Sequence, residues 1–190
     1  AIDCRVSSFK GKNGKVCAEM AAGESDDPFG HGTHVAGVAG GNGAISVGKF
    51  PGAVETTPVF SLRVLGDLGF GKVSDVIAAL DWLLVNGVAN DIRVVNLSLG
   101  KGVEESNATD PLVLAVEQLW DAGFVVVASA GNYGTWGNFT VTSPGNSRKI
   151  ITVGSLTDSG TGSDFSDDYV STYSSRGPTL GDHILKPDLI

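Results

Sequence analysis

The octet Gly30-His31-Gly32-Thr33-His34-Val35-Ala36-Gly37 decides how the rest of this 190-residue chain is interpreted. Glycine on both sides of His31 lets the backbone turn sharply, and the small residues that follow permit a helix to pack closely. His31 and His34 could also share a helix face and bind a metal, although helical zinc motifs normally add a nearby acid or a third ligand. A third interpretation is a structural histidine at a helix start, satisfied by hydrogen bonds. The octet therefore predicts the start of a helix that carries a candidate functional histidine.

Apolar runs and helical periodicity alternate through the middle of the chain. The β-rich or continuously apolar runs predict strands at residues 59–65, 93–99, 124–129 and 150–154. A first helix is predicted from apolar residues at helical spacing, namely Val73, Ile77, Leu80 and Leu84, with Trp82 and Leu83 widening the stripe. A second helix is predicted to open at Asp110-Pro111, and its buried stripe consists of Leu112, Val116 and Leu119.

This order of elements is typical of a doubly wound α/β sheet. In such sheets the functional residues gather in loops beyond the carboxyl ends of the strands. Ser98-Leu99-Gly100 and Gly131-Asn132 both follow predicted strands. The chain has no internal repeat or low-complexity boundary, so residues 1–190 are predicted to belong to one domain.

The octet resembles the histidine motif of the subtilisin-like serine proteases (subtilases), and further segments extend this likeness. Ser98-Leu99-Gly100 is similar to the strand end that lines the substrate cleft, and Ala128-Ser129-Ala130-Gly131-Asn132 is similar to the oxyanion segment. Residues 173–178 and 185–190 resemble the run that precedes the nucleophile. The resemblance implies a three-layer subtilisin-like α/β fold with a mostly parallel central sheet, here truncated, and the activity of a serine endopeptidase.

The resemblance also implies catalytic roles for three residues of this chain. His31 would be the general base, and the Asn132 amide would donate to the oxyanion. Asp3 would orient His31, but Cys4-Arg5 departs from the small residues that follow the aspartate in the family. An aspartate upstream of Asp3 is the alternative.

No serine of this chain has the Gly-Thr-Ser-Met-Ala-like context of the family's nucleophile. Ser171, Ser174 and Ser175 lie in a polar, turn-like stretch, and the one methionine, Met20, lies far upstream. We therefore expect an incomplete catalytic domain that is inactive alone. We also expect it to leave apolar surface uncovered and to be poorly soluble when expressed by itself.

The family binds an extended peptide as an added strand between two backbone segments. The matching segments here are Gly69-Phe70-Gly71 and Ser98-Leu99-Gly100, although these glycines could equally be ordinary loop residues. Polypeptide substrates, and a propeptide in the parent protein, are the partners that the resemblance implies. No cofactor is required, and calcium is a possible structural ion without assigned ligands.

Composition narrows the remaining function classes. A formal net charge of −8 argues against a nucleic-acid-binding surface, and no apolar run has the length of a membrane span. Cys4 and Cys17 are interpreted as small buried residues, with a disulfide as the alternative. An extracellular location is expected from the family, although no signal peptide is visible. Two rival functions remain. One is a catalytically dead binding or scaffold module, which is supported by Arg5 at a position where the family has glycine. The other is a metal-binding module built on His31 and His34.

Overall fold

The computed structural model describes residues 27–55, 57–161 and 164–190. Asp3, Cys4, Arg5, Cys17 and Met20 lie outside these ranges, so the expectations placed on them stay predictions. The chain divides into two compact units, residues 1–79 and residues 80–190, which are described separately. The expectation of a single domain also stays a prediction.

Helix α1 (His31–Gly40) lies in the first unit, and it begins at the predicted position. A returning segment closes its carboxyl end: the Gly52 N–H donates to Gly41 O at 2.7 Å, and the Ala53 N–H donates to Val38 O at 2.8 Å. A Cβ atom at Gly52 would lie 2.5 Å from the Gly41 nitrogen. The close packing predicted from the small residues of α1 is therefore confirmed, and it is backbone that packs against backbone.

Helix α2 (Val73–Asn86) is confirmed, but its most buried stripe differs from the predicted one. The buried residues follow an i, i+3, i+4, i+7 pattern: Val76, Ala79, Leu80 and Leu83. Of the predicted spacing set only Leu80 is fully buried, whereas Val73, Ile77 and Leu84 are half-buried. This helix carries two adjacent apolar stripes, and periodicity alone does not determine which of them faces the interior.

The strand predicted at residues 59–65 is not formed, and this prediction was wrong. Within the described part of this segment only Ser61 makes a β-bridge. A β-rich run becomes a strand only where a second segment offers complementary N–H and C=O groups. The run itself contains no information about that partner.

Within the described residues of the second unit, three parallel strands form the larger sheet, in the order β1 (Val94–Leu97), β2 (Val125–Ser129) and β3 (Ile151–Val153). Val95 pairs with Val126, and Ala128 pairs with Thr152. The most continuously apolar run is the central strand, as its composition predicts. The parallel register brings the carboxyl ends of β1 and β2 together at one edge.

Helix α3 (Pro111–Asp121) connects β1 to β2 and packs against β2. Its predicted stripe of Leu112, Val116 and Leu119 is buried, which confirms the prediction. The opposite face of the sheet is more open, since Val94 and Val125 are 61% and 41% exposed.

The start of α3 is fixed by Asp110, which is fully buried. Its Oδ1 atom accepts the Leu112 N–H at 2.9 Å, and the Lys101 ammonium lies 2.9 Å from Oδ2. Burial raises the pKa of Asp110, but the neighbouring Lys101 ammonium and the hydrogen bond from the Leu112 N–H outweigh burial and hold the pKa below its usual value. The predicted cap therefore also anchors the loop that follows β1.

The end of the chain packs beside β3, after the antiparallel hairpin of β4 (Leu156–Thr157) and β5 (Tyr169–Val170). The Gly154 N–H donates to Leu189 O at 2.8 Å. The buried Lys186 ammonium donates to Ile150 O at 2.8 Å and to Asp188 Oδ2 at 2.6 Å. These contacts tie the segment that resembles the run before the family's nucleophile to the edge of the sheet.

Candidate active site

His31 is the first residue of α1, and its imidazole is exposed. Gly30 before it adopts a left-handed conformation with φ of 82°, which glycine reaches without strain. The helix begins there, because the His34 N–H donates to Gly30 O at 3.0 Å. The glycine-flanked turn therefore presents the candidate base at a helix terminus, where a substrate can reach it.

Asp27 holds this helix start in place, although it lies outside the octet that carries the histidine motif. Its Oδ2 atom accepts both the Thr33 N–H and the Thr33 hydroxyl at 2.8 Å, and its Oδ1 atom accepts the Gly30 N–H at 3.1 Å. Burial raises the pKa of the Asp27 carboxyl, but these hydrogen bonds outweigh it, so the pKa lies below its usual value. An aspartate just before a predicted helix is the signal that could have identified it.

Replacing Asp27 with alanine in the full-length protein is expected to destabilise it by about 1 kcal/mol, because the change removes the carboxylate that accepts the Gly30 and Thr33 N–H groups at the start of α1, as a capping side chain does. Because the folded-state pKa is lowered, the stabilisation by Asp27 is present above the ordinary carboxyl pKa of about 3.9 and is lost as the pH falls through the lowered value. Thermal unfolding measured between about pH 7 and about pH 3 checks both effects. The control is Asp27→Asn, which keeps an acceptor but does not titrate. A melting temperature that is the same in Asp27→Ala and the unsubstituted protein contradicts the assignment.

The first unit places one predicted substrate segment close to His31. Gly69 has φ of 78°, and a Cβ atom on it would lie 2.7 Å from the ring of Phe29, two residues before the histidine. The turn is closed by the Gly66 N–H, which donates to Phe70 O at 2.8 Å, and Phe70 itself is 82% exposed. Gly69-Phe70-Gly71 therefore packs against the chain that leads into α1. Phe29 gave no sequence signal, because only the fold brings it to this loop.

Ser98-Leu99-Gly100 follows β1, as predicted. The chain then pairs with residue 143 through two backbone bonds, from the Lys101 N–H to Ser143 O at 2.9 Å and from the Ser143 N–H to Lys101 O at 3.0 Å. A Cβ atom at Gly100 would lie 2.6 Å from the Thr142 hydroxyl oxygen. Gly100 is thus required by packing, whichever role the segment has toward a substrate.

Asn132 follows β2 at the same edge of the sheet, and its side chain is exposed. Among the described residues its amide has no hydrogen-bond partner, so its N–H groups are available to an incoming acceptor. The backbone around it is fixed: the Ser175 N–H donates to Gly131 O at 3.0 Å, and the Tyr133 N–H donates to the Ser175 hydroxyl at 3.1 Å. A rigid loop thus presents a free amide, which is the requirement for a preorganised donor.

The three serines near the end of the chain have structural contacts. Ser171, Ser174 and Ser175 are each at most 2% exposed. The Ser174 hydroxyl accepts the Ser155 N–H at 2.9 Å, and the Ser175 hydroxyl supports the loop that carries Asn132. These contacts agree with the expectation that none of the three is a nucleophile.

The described residues contain no group of three or more His, Cys, Asp or Glu side chains that could hold a metal ion. The calcium expectation therefore gains no ligand set and stays a prediction. No helix in the described ranges is both long and apolar enough to cross a membrane.

Comparison with known proteins agrees with the likeness found in the motifs. The model of the subtilase family matches residues 8–190. Serine protease AprX of Bacillus subtilis (strain 168) is 40% identical over 172 residues, which is 88% of this chain and 38% of that protein. The extracellular serine proteinase of Thermus sp. (strain Rt41A) is 36% identical over 173 residues, which is 90% of this chain and 36% of that protein. The chain therefore spans less than half the length of these relatives.

Solved structures give the same result for the fold. A cold adapted subtilisin-like serine proteinase superposes with a TM-score of 0.68 at 29% identity, over 93% of this chain and 56% of that one. Sphericase superposes with a TM-score of 0.65 at 29% identity, over 83% of this chain and 49% of that one. The predicted subtilisin-like α/β fold is confirmed.

Proposed function

The chain belongs to the subtilase family, and from this we propose that the full-length protein is a serine endopeptidase. It hydrolyses internal peptide bonds of polypeptide substrates through an acyl-enzyme. The observation that carries the proposal is the Asn132 amide, which is exposed, has no hydrogen-bond partner among the described residues, and lies on a loop that hydrogen bonds hold in place.

In the proposed reaction His31 acts first as general base and then as general acid. As general base, His31 takes the proton of the nucleophilic serine of the full-length protein while the serine oxygen attacks the peptide carbonyl carbon. The developing oxyanion accepts a hydrogen bond from the Asn132 amide. The imidazolium then protonates the leaving amine. In the second half of the reaction, water attacks the acyl-enzyme carbonyl while His31 takes the water proton, and His31 then returns a proton to the departing serine oxygen. Asp3 is proposed to hold the imidazole tautomer.

The substrate backbone is proposed to lie along Gly69-Phe70-Gly71 and Ser98-Leu99-Gly100. Support comes from each unit separately. The first segment packs beside the chain leading into His31, and the second leaves the same sheet edge as Asn132. An extended peptide forms main-chain hydrogen bonds with such segments.

The test is covalent labelling of the full-length protein by a fluorophosphonate, followed by peptide mapping of the labelled serine. We expect one labelled serine, outside residues 1–190, and competition by a peptide substrate. The matched control is protein unfolded before labelling. A folded protein that neither labels nor hydrolyses a casein substrate would be a catalytically inactive binding module, the alternative function.

The protein is further proposed to act outside the cell. The relative from Thermus is named an extracellular serine proteinase, which supports this location by family likeness. Immunodetection in culture medium against washed cells tests it, and retention in the cell fraction contradicts it.

A further inference from the structure

Two Asn-X-Thr triplets in this chain match the acceptor sequence for N-linked glycans, and the structure distinguishes between them. They are Asn107-Ala108-Thr109 and Asn138-Phe139-Thr140. A glycan is bulky and strongly hydrated, so a folded protein carries one only where the asparagine amide faces solvent. The surroundings of the two asparagines therefore decide which triplet is suited to this modification.

Asn107 is unsuited to a glycan, because it is held inside the second unit. Only 7% of its surface is exposed. Its Nδ2 atom donates to Asn146 O at 3.3 Å, and its backbone N–H donates to Asp182 Oδ2 at 2.7 Å. A sugar on Nδ2 would displace the Asn146 carbonyl and the residues that bury the amide. A chain modified at Asn107 is therefore incompatible with this fold.

Asn138 is suited to a glycan, because its side chain is exposed while its backbone is fixed. Its amide has no hydrogen-bond partner among the described residues. The Thr140 N–H donates to Arg176 O at 3.0 Å, and the Arg176 N–H donates to the Thr140 hydroxyl at 2.8 Å. The preceding Gly137 also borders open space, since a Cβ atom built on it would meet nothing within 4 Å. A sugar on Asn138 would displace no part of the described structure.

An exposed tryptophan lies two residues before Asn138. Trp136 is 79% exposed, and its ring stacks on Tyr133 at a centroid distance of 5.2 Å and an angle of 29°. The stack covers one face of the indole and leaves the other face open. Two residues span at most about 7 Å, so the first sugar on Asn138 lies within reach of the open face. The C–H groups of a sugar ring pack favourably on the electron-rich face of an aromatic ring.

We propose that Asn138 carries an N-linked glycan whose first sugar packs on the open face of Trp136. The inference rests on the proposed extracellular function, because the glycan is transferred on the secretory route. The Asn138 Nδ2 atom forms a bond to the anomeric carbon of a lipid-linked oligosaccharide diphosphate. The bond from that carbon to the phosphate oxygen breaks, the lipid diphosphate leaves, and the amide loses one proton. The glycan takes no part in peptide hydrolysis.

The first test identifies the modified asparagine in full-length protein recovered from the culture medium. Trypsin combined with a glutamate-specific protease cleaves after Glu117, so Asn107 and Asn138 fall in different peptides. Peptide N-glycosidase in heavy-oxygen water converts a glycosylated asparagine to labelled aspartate, which mass spectrometry locates. We expect the label at Asn138 and none at Asn107. Asn138→Gln should abolish the electrophoretic shift that the glycosidase causes, and the matched control Thr109→Ala should leave that shift unchanged.

The second test measures the contact with Trp136 by thermal unfolding. Asn138→Gln, which removes the glycan, is expected to lower the melting temperature by about 2–4 °C, the size of one aromatic contact. In a Trp136→Ala background the same substitution should lower it by less than half as much. Equal losses in the two backgrounds overturn the contact with Trp136.

The remaining outcomes separate this inference from the proposed function. An unlabelled Asn138 in protein from the medium overturns the inference, and fluorophosphonate labelling of the same sample leaves the proposed function intact. A label at Asn107 overturns the argument from exposure. Retention of the protein in the cell overturns the proposed location, and this inference with it.

Discussion

Replacing His31 with alanine in the full-length protein is expected to lower kcat by about 10⁶. This magnitude is taken from the same substitution in subtilisin rather than obtained from the present geometry. The physical reason is that no other group would take the serine proton, so the nucleophile stays a weakly reactive hydroxyl. Residual hydrolysis would come from oxyanion stabilisation and binding. Single-turnover and steady-state kinetics with a fluorogenic peptide measure the loss.

The matched control for His31 is His34→Ala, one turn further along the same helix and also exposed. The His34→Ala variant is expected to keep a kcat within about tenfold of the unsubstituted protein, since the predicted role of His34 is structural. Equal losses in the two variants would indicate a shared site, as in the metal-binding alternative. Zinc titration of both variants would then distinguish that alternative from simple damage to α1.

Replacing Asn132 with alanine is expected to lower kcat by about 10²–10³ with little change in KM, a range that is again known from subtilisin. The donor acts on charge that develops in the transition state, so ground-state binding is hardly affected. Because the exposed Asn132 side chain has no hydrogen-bond partner among the described residues, its loss should change stability by less than about 0.5 kcal/mol. Steady-state kinetics together with thermal unfolding check the two halves of this expectation.

Asn138→Ala is the control for Asn132, because Asn138 is an exposed asparagine in the same connection between β2 and β3. It should leave kcat unchanged. A rise in KM with constant kcat for Asn132→Ala would show uniform binding of substrate and transition state, which contradicts the oxyanion role.

The regular elements were predicted best where one segment contains all the information it needs. The cap at Asp110 and the apolar stripe of α3 are local features, and both agree with the structure. The central position of β2 followed from its apolar run. The strand predicted at residues 59–65 was wrong because strand formation depends on a partner segment elsewhere in the chain. The stripe of α2 that is buried likewise depends on the residues that pack against the helix.

The candidate site divides in the same way. Motifs identified His31 and Asn132, because a glycine-flanked turn and a strand end are visible along the chain. Phe29 and Ser175 were missed, since their contacts with Gly69 and with the Asn132 loop join segments far apart in sequence. Asp27 did carry a local signal, since it is an aspartate just before a predicted helix, but only the residues of the histidine motif were considered there.

The sequence by itself determined the family, the order of the elements and the candidate chemical groups, because those depend on residue type and local spacing. The tertiary structure alone decided that the Asn132 amide is left without a hydrogen-bond partner within the described residues while its loop is fixed by Ser175. It also decided that Tyr133 and Trp136 stack on the exposed rim of that loop. Whether a side-chain group is available to a substrate and held rigidly depends on which distant segments form hydrogen bonds with the residues next to it. Only the packed chain settles that arrangement.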